Sequence, residues 1–319
     1  MSAAEPQSTP PVAVADSPTP VRRMLASPML RNRQALVGLG IIGAFVVVAL
    51  LGPLFIDGDP KAKVGAVFEP PSRDHLLGTD GGGADMVSLL IAGARVSLLV
   101  GFAAAAVSAL IGGTVGLVSG FFGGKTDITL MRITDYFLVI PDLVLMIVIA
   151  AVWGPSLSHV IIVIGILLWT GTARVVRAQV KSIRERTYVK RAQTVGASNA
   201  RIIFRHVLPQ VGPLLIASTV LTVAVAIFDE TALAFLGLSD PTAVTWGTIM
   251  EHAFDRTAIS AGAWWAIVPP GLAVALVIVG CYLVGQAIED ALNPRLKVAY
   301  LSPKSWRLRP LVGRGSDAV

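Results

Sequence analysis

Four acidic residues lie in or beside long apolar runs of this sequence and are the first candidates for chemistry: Asp135, Asp142, Asp229 and Glu230. A carboxylate in an apolar setting is costly unless it faces a cavity or a partner, so such residues usually serve transport or interhelical contact. Asp229 and Glu230 could line an outer vestibule and contact a cationic group on a cargo. They could instead tie their helix to a neighbour, which is the favoured interpretation. Asp135 is expected to pair with Arg132, one helical turn away.

Patterns for nucleotide and metal chemistry are weak. The stretch SGFFGGKTD (119–127) approaches a phosphate-binding loop, but Ser119 stands where the pattern needs a glycine, and no strand precedes it. The lone cysteine, Cys281, lies in an apolar run, which excludes a disulfide or a cysteine metal site within the chain. The sequence therefore predicts no catalytic residue, no metal site and no cofactor bound by this chain. The histidines, which show no pair at metal-ligand spacing, are His75, His159, His206 and His252.

Long apolar runs must hold the four acidic residues in place. Of the 319 residues, 54% are hydrophobic and 14% are charged, whereas soluble domains carry about 25% charged residues. Runs of about 18 or more apolar residues mark membrane-spanning helices. Frequent glycine in the second run and Pro141 in the third indicate close helix packing or a locally re-satisfied backbone. The sequence predicts an all-α polytopic membrane protein with six spans, at about 35–56, 95–119, 133–153, 159–178, 210–236 and 264–287.

The basic residues are distributed unevenly about these spans, which sets the expected orientation. The positive-inside rule favours the arrangement with both termini in the cytoplasm. The net charge of +6 follows from this bias and gives no reason to invoke nucleic acid. In that arrangement all basic residues fall on the cytoplasmic side except Lys61, Lys63, Arg73, Arg95 and Arg256.

The spans divide the chain into five parts. Residues 1–34, whose first twenty are rich in Ala, Pro and Ser, are expected to be a disordered cytoplasmic tail. Within the core, residues 187–206 form a cytoplasmic segment between two spans. The other expected parts are a first transmembrane helix at 35–56, an extracytoplasmic loop at 57–94, a five-span core at 95–290 and a cytoplasmic tail at 291–319.

The cytoplasmic segment contains an Arg-rich stretch punctuated by glycine, RAQTVGASNARIIFRHVLP (191–209). Thr187 is expected to cap a first helix that runs to Val195, and Gly196 supplies a left-handed stop. Ser198 is expected to cap a second short helix, which ends before span five begins.

The second short helix is expected to run through His206, and Leu208 and Pro209 then open span five. Its apolar and cationic side chains suit insertion into a groove of another protein. The alternative is an amphipathic helix that lies on anionic lipid, and the charge pattern by itself leaves both open. The apolar residues are Ile202, Ile203 and Phe204, and the cationic neighbours are Arg201, Arg205 and His206.

This stretch resembles the EAA motif of ABC-importer permease subunits, in which a short helix docks into a cytoplasmic ATPase. Ala192, Gly196 and the closing HVLP fit the motif, whereas Lys190 and Arg191 stand at the positions of its glutamate and first alanine. The resemblance implies an ATPase-coupling role for Ala192, Gly196, Ala197, Ser198, Ile202, Ile203, Phe204, Arg205, Leu208 and Pro209.

Further motifs narrow the resemblance to the dipeptide/oligopeptide (peptide/nickel/opine) permease group, C-type subunit. The stretch HLLGTDGGGADM (75–86) is similar to the outer-loop motif of that group, with Ala84 where arginine is usual. In the expected order follow GARVSLLVG, MRITDYFLVIP, GASNARIIFRHVLP, FLGLSDPTAVTWG and DALNPRL. The resemblance implies the type I ABC importer permease fold with a cytoplasmic coupling helix.

The same resemblance implies a permease subunit that forms half of a path for di- or oligopeptides through the bacterial cytoplasmic (inner) membrane. A second homologous permease subunit, two ATPase subunits or one fused double ATPase, and an extracytoplasmic solute-binding protein complete the expected assembly in membrane lipid. ATP and Mg would be used by those partners. Trp169, Asp229 and Glu230 could line the path, although core packing is the favoured role of Trp169. Haem, nickel or another small solute stays open as cargo, and a stand-alone ion-coupled carrier or a membrane scaffold is the alternative class.

Overall fold

The computed structural model describes residues 32–56 and 58–292, and residues 1–31 and 293–319 of the expected tails lie outside the described residues. The described chain is helical, with one isolated bridge pair between Thr79 and Asp85. The helices are α1 (Arg33–Leu51), α2 (Met86–Phe122), α3 (Gly124–Val139), α4 (Asp142–Trp153), α5 (Leu157–Arg184), α6 (Thr187–Thr194), α7 (Asn199–Ile202), α8 (Leu208–Phe235), α9 (Trp246–Asp255) and α10 (Val268–Leu292).

Five stretches of the described chain are long and apolar enough to cross a membrane. Helices α3 and α4 provide a sixth if the bent pair counts as one span. This confirms the predicted all-α polytopic fold. The five stretches are Arg33–Phe55, Met86–Phe122, Leu157–Arg184, Asn199–Phe235 and Trp264–Leu292.

Helices α2 and α5 form the most extensive helix pair of the bundle. Gly112, Gly116 and Gly120 lie one turn apart on α2 and face α5, with no room for side chains. A Cβ atom at Gly112 would lie 2.5 Å from the Trp169 carbonyl oxygen, and one at Gly116 would lie 2.6 Å from that of Ala173. Small residues at this spacing let two membrane helices approach closely, as the glycine-rich sequence of span two predicts.

The third span is not one straight helix. The predicted span over 133–153, which Pro141 interrupts, is a bent pair in which α3 and α4 meet at an angle of 83°. Ile140 is extended (φ −90°, ψ 130°) and Pro141 follows it. A residue before proline is disfavoured in the helical region, and proline has no N–H for the helix ladder. The turn therefore occurs at this dipeptide and places Asp142 at the first position of α4.

Residues 58–85 lie at one end of the bundle, which we call the loop end. Asp85 caps α2 by accepting a hydrogen bond from the Ser88 backbone N–H (3.0 Å), so α2 begins well before the predicted start at 95. The indole N–H of Trp265 donates to the Thr79 carbonyl oxygen (3.1 Å) and ties the loop to the start of α10. Helices α6 and α7 lie at the opposite end, which we call the segment end, beside the last turn of α2.

Candidate functional site

The chain reverses direction between α6 and α7 through a glycine in the left-handed conformation. Gly196 has φ +82°. Its N–H donates to the Gln193 carbonyl oxygen and the Ala197 N–H donates to that of Ala192, each over 3.0 Å. This is the hydrogen-bond pattern of a helix ended by a C-terminal glycine, as the sequence predicts. Thr187 is not the cap of α6, because the helix follows Arg186 without a side-chain cap.

The second short helix is capped as predicted but does not end as predicted. Ser198 Oγ accepts a hydrogen bond from the Arg201 backbone N–H (3.4 Å). A π-helical turn over Ile203–Val207 then carries the chain directly into α8, so the predicted separate helix through His206 is wrong. Pro209 lies in the first turn of α8, where its missing N–H is tolerated. The part of the segment that follows the Gly196 turn is consequently continuous with α8, over Asn199–Phe235.

One apolar cluster fixes this segment on the bundle. Ile202 and Val189 are fully buried, and they pack with Phe121 of α2 and with the end of α5. Ala192, Ala197 and Ile203 pack against the same cluster. The side chain of Ile202, expected to be an apolar contact for a partner, is thus buried inside the chain, and its ATPase-coupling role stays a prediction. The complete buried set is Phe121, Val176, Val180, Ile183, Val189, Ile202, Val207 and Val211.

The outer face of the segment presents apolar side chains among cations. Val195 is 88% exposed and Phe204 is 69% exposed. Arg191, Arg201 and Arg205 are exposed beside them. We call this surface, formed by Arg191, Val195, Arg201, Phe204 and Arg205, the coupling face. The sequence identified Phe204 and missed Val195, whose position next to the glycine turn gives it its exposure.

Lys190, which stands where the EAA motif has glutamate, has a partner within the chain. Its ammonium lies 2.8 Å from the Glu185 carboxylate. The hydrogen bond from Lys190 lowers the pKa of that carboxyl from its ordinary value. Both side chains are well exposed, so the pair adds little to stability. The pair links α6 to the residue that follows α5.

A cluster of three charges joins α3 to α5 near the segment end. Arg177 contacts both carboxylate oxygens of Asp127, at 2.5 Å and 2.8 Å, and Lys181 Nζ lies 2.6 Å from the same carboxylate. Sequence reasoning missed this cluster, because Asp127 belongs to the glycine-rich stretch considered only as a phosphate loop. The spacing of Arg177 and Lys181, one turn apart on α5, was the available signal.

Asp135 makes a different pair from the one predicted. Its carboxylate accepts a hydrogen bond from Arg174 of α5 over 2.6 Å, so the prediction of an Arg132 partner is wrong. The tertiary contact replaces the local one, because α3 lies against α5 along this face.

A cavity of about 350 Å³ opens between α3, α4, α5, α8 and α10. Asp142 reaches it from the bend, and the lining is otherwise a mixture of hydroxyl-bearing and apolar side chains with one further acid. Irregular backbone in a membrane protein is tolerated where it is buried or borders such a cavity. The lining is Leu138, Asp142, Leu168, Thr170, Gly171, Thr172, Val175, Ser218, Leu221, Thr222, Val225 and Glu289.

The residues predicted to line a path are buried. Trp169 is buried and contacts Phe137 edge to face, with ring centroids 5.8 Å apart, which agrees with a packing role. Asp229 is 6% exposed. Neither Trp169 nor Asp229 is part of the cavity lining.

Glu230 is fully buried and connects three helices. Ser97 Oγ of α2 donates to Glu230 Oε2 over 3.2 Å, and the backbone N–H of Trp246 at the start of α9 donates to Ser97 Oγ over 3.1 Å. This geometry matches the interhelical tie and leaves the carboxylate inaccessible to a cargo in this chain.

Comparison of the sequence with models of known protein families identifies the family of this chain. Residues 112–298 match the model of the binding-protein-dependent transport system inner membrane component. The chain belongs to this family. Residues 24–71 match a second model, described as the N-terminal TM domain of oligopeptide transport permease C.

Individual members of the family show the same relationship over nearly the whole chain. The dipeptide transport system permease protein DppC of Alkalihalophilus pseudofirmus is 34% identical over 300 residues, which cover 92% of this chain and 96% of that protein. The oligopeptide transport system permease protein OppC of Bacillus subtilis is 36% identical, covering 83% and 87%. The di/tripeptide transport system permease protein DppC of Pseudomonas aeruginosa is 35% identical, covering 88% and 94%.

In this member of the family, the described residues therefore separate into two candidate sites. The coupling face lies at the segment end, and its residues Arg201, Phe204 and Arg205 belong to the stretch continuous with α8. The cavity that contains Asp142 lies deeper in the bundle, between that element and the bent pair α3–α4. The continuous stretch Asn199–Phe235 contributes to both sites, since Phe204 belongs to the coupling face and Ser218 and Thr222 line the cavity.

Proposed function

We propose that this chain is the permease subunit of an ATP-driven importer of di- and oligopeptides and forms half of the translocation path. The observation that carries this proposal is the coupling face, because it joins exposed apolar side chains, flanking cations and a continuous connection to α8. Family membership and the peptide-permease names of the relatives support the importer class and the peptide cargo.

The proposed assembly needs partners on both sides of the membrane. A homologous permease subunit would complete the path, and two ATPase subunits or one fused double ATPase would bind the coupling face and use ATP and Mg. An extracytoplasmic solute-binding protein would deliver cargo at the loop end. Both termini would then lie in the cytoplasm, in keeping with the distribution of basic residues.

Force would enter through the segment and reach the path through α8. The buried cluster around Ile202 attaches the segment to α2 and α5, so a push on Phe204 moves the packed helix ends together. Closure of the ATPase dimer would bias the two permease subunits between inward-facing and outward-facing states. Such switching requires that nucleotide favour one state over the other.

The cavity between the bent pair and α8 is the proposed path surface of this subunit. Its hydroxyl groups can hydrogen-bond peptide amides, and Asp142 can attract the amino group of a peptide. The second subunit would close this surface into a path.

Reconstitution tests this function directly. Vesicles that contain the full set of subunits should hydrolyse ATP faster when a dipeptide-loaded binding protein is added, and should accumulate labelled dipeptide. Vesicles that contain this chain alone should do neither. ATP-independent uptake by the chain alone, or stimulation by nickel or haem and not by peptide, would contradict the proposal.

A further inference from the structure

An apolar groove of about 620 Å³ runs between α1 and α2 near the loop end. It shares no lining residue with the coupling face or the Asp142 cavity. Its walls carry one charged residue, Arg95, and otherwise only apolar ones. The lining is Val46, Ala49, Leu50, Arg95, Leu98, Leu99, Phe102 and Ala103.

Arg95 stands at the head of an exposed stripe on α2. The exposed positions that follow it at helical spacing are Leu99, Phe102, Ala106 and Leu110, all apolar. A stripe of this kind on a membrane helix faces hydrocarbon. Arg95 is the one cation among these exposed positions of α2, and an arginine in that setting is costly unless its guanidinium meets an anion or water.

The position of Arg95 along α2 corresponds to the headgroup level of the bilayer. From Val96 to Phe122 the helix contains no charged residue, which exceeds the roughly 20 residues needed to cross the hydrocarbon core. Arg95 therefore lies at the boundary of the core nearest the loop end. The groove extends from it toward the bilayer centre, since Phe102 and Ala103 lie about two turns further along α2.

The guanidinium of Arg95 has no carboxylate partner in the part of the chain that the structure describes, where every ion pair involves other residues. A planar guanidinium beside an apolar channel matches a phosphate attached to an acyl chain. We propose that this groove is a binding site for an anionic phospholipid of the leaflet at the loop end. The phosphate pairs with Arg95 and one acyl chain lies between α1 and α2.

Lipid titration followed by native mass spectrometry tests the site on the purified, delipidated full-length chain. Phosphatidylglycerol should fill one site more tightly than phosphatidylcholine with the same acyl chains. Arg95→Gln should weaken this binding about tenfold or more, the size expected for one lost charge-assisted hydrogen-bonded pair. Arg73→Gln, which removes an exposed cation of the loop, is the matched control and should leave the affinity unchanged.

A second variant separates the groove from the charge. Ala103→Trp fills the groove and leaves Arg95 in place, so it should also abolish the tight phosphatidylglycerol site while preserving the thermal stability of the chain. Equal binding of the two lipids, or unchanged binding in both Arg95→Gln and Ala103→Trp, would overturn the proposal. Loss of the second permease subunit from the complex on Arg95→Gln, with lipid binding unchanged, would also overturn it and assign the groove to that subunit.

Discussion

Arg177 and Asp127 join α5 to the first turn of α3 through two hydrogen bonds, 2.5 Å and 2.8 Å long. Lys181 adds a third contact to the same carboxylate. Asp127 is buried, and the cluster lies next to the apolar contacts that hold the coupling segment. The bent pair and the segment are thus attached to the same stretch of α5.

Asp127→Asn should destabilise the chain, because two cations would then face an uncharged amide. Removing one partner of a buried ion pair lowers the free energy of unfolding by roughly 3–5 kcal/mol. We expect a loss at the lower end of this range because Arg177 is partly exposed. Thermal unfolding of the purified chain in detergent measures the effect. Asp135→Asn is the matched control, because its pair with Arg174 is half exposed and should contribute about 1 kcal/mol or less. Equal losses in the two variants would contradict the assignment.

Gly196→Pro should uncouple ATP hydrolysis from uptake in the full complex. Proline does not adopt φ +82°, and it removes the N–H that donates to Gln193. Gly196→Ala should be milder and should lower the free energy of unfolding by roughly 1–2 kcal/mol. The space around the glycine is open, so only backbone strain is added. Gly212→Ala in α8 also meets open space and has an ordinary helical backbone, so it should be neutral or slightly stabilising. Coupled uptake at the normal rate in Gly196→Pro would show that the turn has no coupling role.

Glu230→Gln should leave the peptide affinity and maximal rate of the complex unchanged, because the side chain is buried and its oxygen still accepts from Ser97. Glu230→Ala should lower the stability of the chain by roughly 2 kcal/mol or more, since it leaves a cavity and an unpaired hydroxyl. Uptake kinetics and thermal unfolding distinguish the two effects. An altered peptide affinity in Glu230→Gln with normal stability would assign the residue to the vestibule after all.

Asp142→Asn should reduce peptide transport and leave the stability of the chain unchanged. The residue faces the cavity at the bend, so its neutral variant should reduce uptake of peptides with a free amino terminus by about tenfold. Thermal stability should be preserved. N-acetylated peptides should be transported equally well by the variant and the original chain if the charge acts on the peptide amino group. Identical uptake of free and acetylated peptides by the original chain would contradict that role.

Local sequence chemistry predicts much of this fold, and tertiary packing accounts for what it misses. The Gly196 turn and the Ser198 cap follow from the backbone preferences of glycine and serine. The glycine face of α2 follows from the small size of glycine, which lets α5 approach. The inward position of Ile202 and the ion pair of Asp135 with Arg174 depend on where α5 lies, which a single sequence does not reveal. Pro141 predicts an interruption of the helix, but the angle of 83° between α3 and α4 depends on how α4 packs.

The central claim is that a separate ATPase drives this chain through the coupling face. Cys281 is the only cysteine, so a Cys281→Ser background allows a photoreactive crosslinker to be attached at Phe204→Cys or Val195→Cys in the full complex. Phe55→Cys, 81% exposed near the loop end, is the control position. We predict that both segment positions crosslink to the ATPase, in yields that change with bound nucleotide, and that position 55 does not. Absence of the ATPase adduct at both segment positions in an actively transporting complex would contradict the account.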